Sequence, residues 1–204
     1  MEEMCFADSY MASVQAGAGL AGSNALVTSG ASSSANSCAL MTELGDLDDF
    51  WVTASIYIGG ADPAAEHEVT FFELGEVRGD DPELRIGYRG DSSCNNNGDV
   101  YAGFEIGATQ GPGGEFTGCT GNVPVAQQWY CLEVHVDQSS GSLVAQLHVD
   151  GEKQETLVHS SPEEDVLGTF EAKILKVGMQ SYGGEFASLA IDDLSVSTAR
   201  VGCP

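Results

Sequence analysis

Residues 51–58, WVTASIYI, alternate apolar and polar side chains with a period of two. Successive side chains of an extended chain point to opposite sides, so this rhythm marks a strand with one buried and one wetted face. It recurs in short runs near 25–29, 38–44, 67–74, 84–89, 100–107, 129–137, 143–150, 154–159, 170–178 and 186–197. Gly, Asn, Asp and Pro clusters separate the runs, among them GGADPAAE, RGDDPE, GDSSCNNNGD, TQGPGG, DQSSGS and SSPEED. Helical periodicity is confined to a turn expected within 159–169, and no internal repeat is visible. About eleven short strands predict an all-β sandwich or barrel. The Ala/Gly/Ser-rich stretch 11–37 reads as containing loose loop.

The alternation sorts each strand into faces. Val52, Ala54, Ile56 and Ile58 oppose Trp51, Thr53, Ser55 and Tyr57. Leu84, Ile86 and Tyr88 oppose Arg85 and Arg89, and Phe104 and Ile106 oppose Tyr101 and Glu105. In the hairpin 128–151, Tyr130, Leu132, Val134 and Val136 belong with Leu143, Ala145, Leu147 and Val149. That leaves Glu133, His135, Gln146 and His148 outside, and a register with 133 opposite 146 makes them cross-strand neighbours.

Composition narrows the partners. The 204 residues fit one domain, 1–204, and 42% apolar content suffices for one core. A formal charge of −24, from 31 acids against 7 Lys and Arg, repels phosphate backbones and anionic lipid. Nucleic acid is therefore excluded as a partner, and no apolar run approaches the roughly 20 residues of a membrane span. The acidity suits either a solvated surface or a collector of divalent cations. Six cysteines (Cys5, Cys38, Cys94, Cys119, Cys131, Cys203) without CxxC spacing argue for disulfides and an oxidising compartment. The start MEEMCFADSY has no signal-peptide pattern. A secreted or cell-surface protein whose leader is absent from this chain reconciles the two, and the chain reads as a module that can sit among other domains of a larger secreted protein.

A polar sheet face carrying aromatic rings is what a glycan needs. Sugars stack C–H faces on Trp and Tyr and pair hydroxyls with Glu, Gln, Arg and His held on rigid strands. The candidate ligand residues are Trp51, Tyr57, Arg85, Arg89, Tyr101, Glu105, Glu133, His135, Gln146 and His148, expected on one polar, concave face.

Two passages carry a family resemblance. QQWYCLEVHVD…LVAQLHVDG is similar to the paired hairpin strands of the concanavalin A-like lectin/glucanase superfamily, which includes laminin G-like domains. FEAKILKVGMQSYGGEFASLAIDDLSVS is similar to its closing strands, and AIDDLSVSTARVGC also resembles the end of MAM-type domains. The resemblance covers roughly 120–200 and implies two stacked antiparallel sheets in a jelly roll. It further implies a structural Ca²⁺ at Asp192, with Asp193 beside it and Asp8 as an N-terminal contributor; carboxylate oxygens are what Ca²⁺ takes. The alternative is that both late acids are wetted strand residues. The rhythm breaks at Asp192–Asp193, which reads as a bulge. Six cysteines permit fifteen pairings. Jelly-roll termini side by side imply Cys5–Cys203 first, with Cys94–Cys119 flanking one strand and Cys38–Cys131 remaining.

Catalytic patterns are weaker. The superfamily's glucanases use an E-x-D-x-E strand, whereas Glu133-x-His135-x-Asp137 has a histidine at its centre. Against alginate-type lyases, ILKVGMQSY keeps Lys176 and Gly178 but has Gln180 in place of the Tyr, with Tyr182 displaced by two. There is no G-x-S-x-G. The sequence therefore predicts a non-catalytic, lectin-like glycan-binding domain. A polysaccharide lyase or glycosidase, or a structural or adhesive domain, is the alternative.

Overall fold

The computed structural model describes residues 2–5, 11–29, 36–59, 68–75, 83–96, 99–111, 114–141, 143–160, 171–182 and 188–204. Fourteen strands run through them in order: β1 Glu2–Cys5, β2 Met11–Gln15, β3 Ala25–Ser29, β4 Asn36–Glu43, β5 Asp49–Gly59, β6 Glu68–Gly75, β7 Glu83–Asn96, β8 Asp99–Gly111, β9 Gly114–Cys119, β10 Gln128–Asp137, β11 Val144–Val149, β12 Glu152–Ser160, β13 Ile174–Tyr182 and β14 Ser188–Ser197. Among the described residues, only a short 3-10 turn, Leu20–Gly22, interrupts the β structure. The helical turn expected within 159–169 falls largely outside the described residues, while 159 and 160 belong to β12.

The strands form two seven-stranded antiparallel sheets. The first has the order β1-β4-β13-β6-β7-β8-β9 and the second β12-β11-β10-β5-β14-β3-β2. This is the expected two-sheet sandwich. Its core is made by the apolar parity of each strand: Val52, Ala54, Ile56 and Ile58 from β5, Leu84, Ile86 and Tyr88 from β7, and Leu132, Val134 and Val136 from β10 are fully buried. Burying one such side chain is worth about 1.5–3 kcal/mol, so this facing set is the main cohesive term. No described helix is long and apolar enough to cross a membrane.

Three strands lie outside the sequence expectation. One is β2 within the stretch 11–37, which also holds the expected β3 and the start of β4. β1 and β9 were hidden by polar and glycine-rich composition, EEMC and GEFTGC, which carries little β propensity. The β10–β11 register also differs: Glu133 faces His148 and His135 faces Gln146. The shift is two residues from the expected pairing, so every side chain keeps its face.

The disulfide expectation is corrected. Cys131 bonds to Cys203, which rules out both Cys5–Cys203 and Cys38–Cys131. Cys5 instead stands opposite Cys38 in the β1–β4 register. Cys119 is also disulfide-bonded, and none of the described cysteines is free.

Candidate functional site

The ten candidate residues do not share a face. Arg85, Arg89, Tyr101 and Glu105 belong to the first sheet, whereas Trp51, Tyr57, Glu133, His135, Gln146 and His148 belong to the second. The sandwich core lies between the sheets, so the polar sides of the two sets point away from each other. Strand alternation gives the parity of a side chain but not the sheet its strand joins, which is why sequence merged them.

The outer face of the first sheet carries a continuous ladder of charge. Glu105 accepts a hydrogen bond from Arg89 Nε at 2.6 Å, and Arg89 Nη2 donates to Glu68 at 2.7 Å. Glu68 also lies 3.5 Å from Arg85 Nη1. Arg85 in turn donates to Glu83 through Nε at 2.6 Å and through Nη2. Lys176 Nζ stands 3.6 Å from Glu83 and donates to Glu73 at 2.9 Å. The order Glu105–Arg89–Glu68–Arg85–Glu83–Lys176–Glu73 alternates sign at every step across β8, β7, β6 and β13. None of the seven side chains is more than 14% exposed.

A bulge makes the ladder possible. The β6–β7 register slips between Thr70 and Phe72, so Phe71 and Phe72 both enter the core. Glu68, Thr70 and Glu73 are thereby left on the outer side, opposite Arg89's row, Gly87 and Arg85. Strict alternation from Glu68 would turn Glu73 inward. The bulge hid Glu73, for which the doublet in HEVTFFELG was the available signal; Glu83 lay just before the strand expected at 84–89, and Glu68 and Lys176 lay on strands whose faces the sequence reading did not sort.

Burial reshapes the acids. Burial first, then the neighbouring Glu68 carboxylate, pushes Glu105 up to about 8 against the opposing pull of Arg89. Glu83 is pushed up to about 7 by burial and then by Glu73, with Arg85 and Lys176 opposing. Two carboxyl groups on one sheet face thus hold protons near neutrality. Thr70, 1% exposed, faces the same side, and its hydroxyl has no hydrogen-bond partner among the described residues.

The outer face of the second sheet is differently used. Glu133 is fully buried, and Arg200 from the C-terminal segment grips both of its oxygens, at 3.0 Å and 2.6 Å. Arg200 also donates to the Gly151 carbonyl at 2.9 Å and lies 5.4 Å from the Trp51 ring centroid. Trp51 stacks on His135 at 4.5 Å and 12° and meets His148 at 5.3 Å. His135 contacts Asp49 at 2.8 Å. The His148 ring is buried and makes no hydrogen bond of normal geometry among the described residues; burial, with Arg200 nearby, lowers its proton affinity. Cys131–Cys203 fastens the same segment. Trp51, Glu133, His135 and His148 therefore form the bed on which the C-terminal strap lies. Gln146 stands opposite His135 at the side of this bed. Tyr57 pairs instead with Trp129, at 5.3 Å and 45°. Tyr101 stands opposite Cys94 on β8, and its side chain lies outside the described residues.

Asp192 holds the N-terminal turn. Its Oδ2 accepts from the Leu20 amide at 2.8 Å and from the Ser23 hydroxyl, and its Oδ1 accepts from the Asp193 amide at 2.8 Å. The bulge is present: the register slips between Asp192 and Ser195, with Asp193 at φ 50° and exposed. The Asp192 carboxylate, Ser23 hydroxyl and Leu20 carbonyl are hard oxygens of the type Ca²⁺ accepts. Asp8 lies outside the described residues. Among the described residues, the one group of three His, Cys, Asp or Glu ligand atoms close enough to share an ion is Cys131, Glu133 and Cys203, and its sulfurs are bonded to each other.

Solved structures show the same architecture. The cellulose induced protein Cip1 superposes over 97% of this chain and 89% of its own length, with TM-score 0.67 and 17% identity. The chain shares its β-sandwich fold. The alginate lyase A1-II', a member of polysaccharide lyase family-7, covers 88% of this chain and 81% of its own, with TM-score 0.54 and 13% identity. The receptor binding domain of botulinum neurotoxin mosaic serotype C/D matches at TM-score 0.54 and 13% identity, and there the chain spans 43% of the longer protein. No model of a protein family matches the sequence, and no curated protein matches it either.

Proposed function

We propose that this chain is a secreted, non-catalytic glycan-binding β-sandwich whose ligand face is the outer side of the first sheet. The observation that carries the reading is the sheltered ladder of four glutamates, two arginines and a lysine. Removing ions from water costs several kcal/mol each, and well-packed apolar residues often stabilise as well or better. A face kept charged at that cost, in a chain with only 7 Lys and Arg, fits recognition better than stability. Carboxylates and guanidinium forks fixed on strands suit sugar hydroxyls. The neighbours Cip1 and the alginate lyase, cellulose-induced and polysaccharide-acting by name, support a sugar-related role.

A glycan array tests this directly. Specific binding that Glu68→Gln weakens at least tenfold, with the fold intact, is the expected result. A silent array leaves a structural or adhesive domain as the better account.

One observation favours a second, catalytic reading on the same face. Glu83 and Glu105 hold protons near neutrality beside other carboxylates, as a glycosidase acid or a lyase acid does. A polysaccharide panel distinguishes the two. New reducing ends, or an unsaturated product absorbing in the ultraviolet, would establish an enzyme.

Calcium at the Asp192 turn belongs to the same proposal. Added Ca²⁺ is expected to raise the melting temperature, chelator to lower it, and Asp192→Asn to abolish the difference. A melt indifferent to both would dismiss the ion.

A further inference from the structure

We infer that Arg200 fills a guanidinium-binding site on the second sheet, and that opening the Cys131–Cys203 bond frees that site for an arginine side chain of another polypeptide. The site is separate from the first-sheet ladder and does not depend on the glycan reading. Its groups converge on one cation. Glu133, with no exposed surface, accepts from two nitrogens of the Arg200 fork, and the Gly151 carbonyl accepts a further hydrogen bond. The Trp51 ring centroid lies 5.4 Å from the guanidinium carbon. A two-oxygen carboxylate, a carbonyl and an aromatic face together suit a planar cation with forked donors, whereas a lysine ammonium cannot repeat the paired bonds. The place has the right size, because a guanidinium occupies it, and it opens to solvent, because the Arg200 side chain is 39% exposed.

The sheet holds this site and the strap does not. β10, which carries Glu133, pairs with β5, which carries Trp51, and with β11, which leads into Gly151. Trp51 is braced by its stacking on His135, which in turn contacts Asp49. The strap is held at fewer points. Among the described residues, no backbone-to-backbone hydrogen bond involves 198–204, and Thr198–Val201 are exposed. Arg200 sits between two anchors, Ser197 at the end of β14, opposite Trp51, and Cys203, bonded to Cys131. With both anchors in place the guanidinium returns to Glu133 at an effective concentration on the order of millimolar or more, and a dilute competitor loses. A thiol reductant removes one anchor. Its thiolate reaches the less buried sulfur, Cys203, and the S–S bond breaks. Two electrons and two protons pass to the protein, Cys131 and Cys203 become thiols, and the reductant leaves as its own disulfide. The segment is then tethered through Ser197 alone. A chain of formal charge −24 draws in a cationic peptide and repels an anionic one.

The test is titration calorimetry of the full chain with an acetylated, amidated tripeptide bearing a central arginine, and with its lysine and citrulline counterparts. Arg200→Ala empties the site while the disulfide stays closed. That variant is expected to bind the arginine peptide at least tenfold tighter than either counterpart, and at least tenfold tighter than the oxidised wild type does. Adding Glu133→Gln is expected to abolish the binding. The release is read on the wild type treated with a dithiol reductant, with opening of Cys131–Cys203 followed by alkylation and mass spectrometry, and on Cys203→Ser under oxidising conditions. Both are expected to gain at least tenfold in affinity for the arginine peptide. If Arg200→Ala binds none of the three peptides, or all three alike, the site is overturned. Binding that survives Glu133→Gln overturns it too, since that marks general attraction to an acidic surface. Equal affinity in the oxidised and opened chains overturns the release, as does loss of the β-sheet circular dichroism spectrum in both opened forms.

Discussion

A side chain at position 87 has nowhere to go: its Cβ would press on the Val69 carbonyl oxygen and lie 2.8 Å from the Thr70 Cα. Both obstacles are backbone atoms of β6, so neither can swing aside as a side chain would. Gly87→Ala should therefore destabilise by about 1–3 kcal/mol, the usual range for overpacking, as a lower urea midpoint at unchanged slope. Arg200 is the opposite kind of residue, half exposed yet covering a fully buried carboxylate. Arg200→Ala should cost about 2 kcal/mol, because it strands Glu133 without its partner. It should also change Trp51 fluorescence, since the guanidinium lies over that ring. Removal of both partners in Arg200→Ala with Glu133→Gln should recover part of the loss; no recovery would argue against the pairing.

Elements, rather than single residues, decide which sheet a polar side chain reaches. All eleven strands expected from alternation are present, because apolar residues at every second position leave a strand one way to face a core. The three overlooked strands lack that signature; GEFTGC in β9 has only Phe116 as a large apolar residue. The candidate site was less legible. Parity put Arg85, Arg89 and Glu105 on an outer face, but Glu73 lay past a bulge and Lys176 on a strand, expected at 170–178, whose two faces were not sorted. The partners of Glu133 and His135 were not legible, because nothing local announces that Arg200 from the C-terminal segment returns to Glu133 or that His135 meets Asp49. That strap is itself testable. The Cys131–Cys203 bond closes a separation of 72 residues, so Cys203→Ser should remove about 4 kcal/mol by loop-closure entropy. A thermal melt unaffected by the substitution would mean that Arg200 alone holds the segment.

Charge acts on the whole molecule. Glu83 and Glu105 bind protons more tightly folded than unfolded, so their contribution is complete below the ordinary carboxyl range and lost as pH rises through about 7 and 8. Within that window each lowers stability by up to about 1.4 kcal/mol per pH unit. The melting temperature should fall between pH 5 and pH 9, and Glu105→Gln should flatten the fall. Repulsion among the surface acids has the same sign, but salt screens it and leaves the buried pair largely untouched. The residual slope at high salt is thus the part belonging to the ladder.

The central claim is that ligand recognition sits on the first sheet and the second sheet's face is closed by the strap. Binding of one array-selected glycan to two variants, Arg89→Lys and Trp51→Ala, measures this most directly. Lysine keeps the charge but cannot span Glu105 and Glu68 with one planar fork, so Arg89→Lys should weaken binding at least tenfold. Trp51→Ala should leave the affinity unchanged. Loss of binding in Trp51→Ala with full affinity in Arg89→Lys would place the ligand on the second sheet and contradict the account.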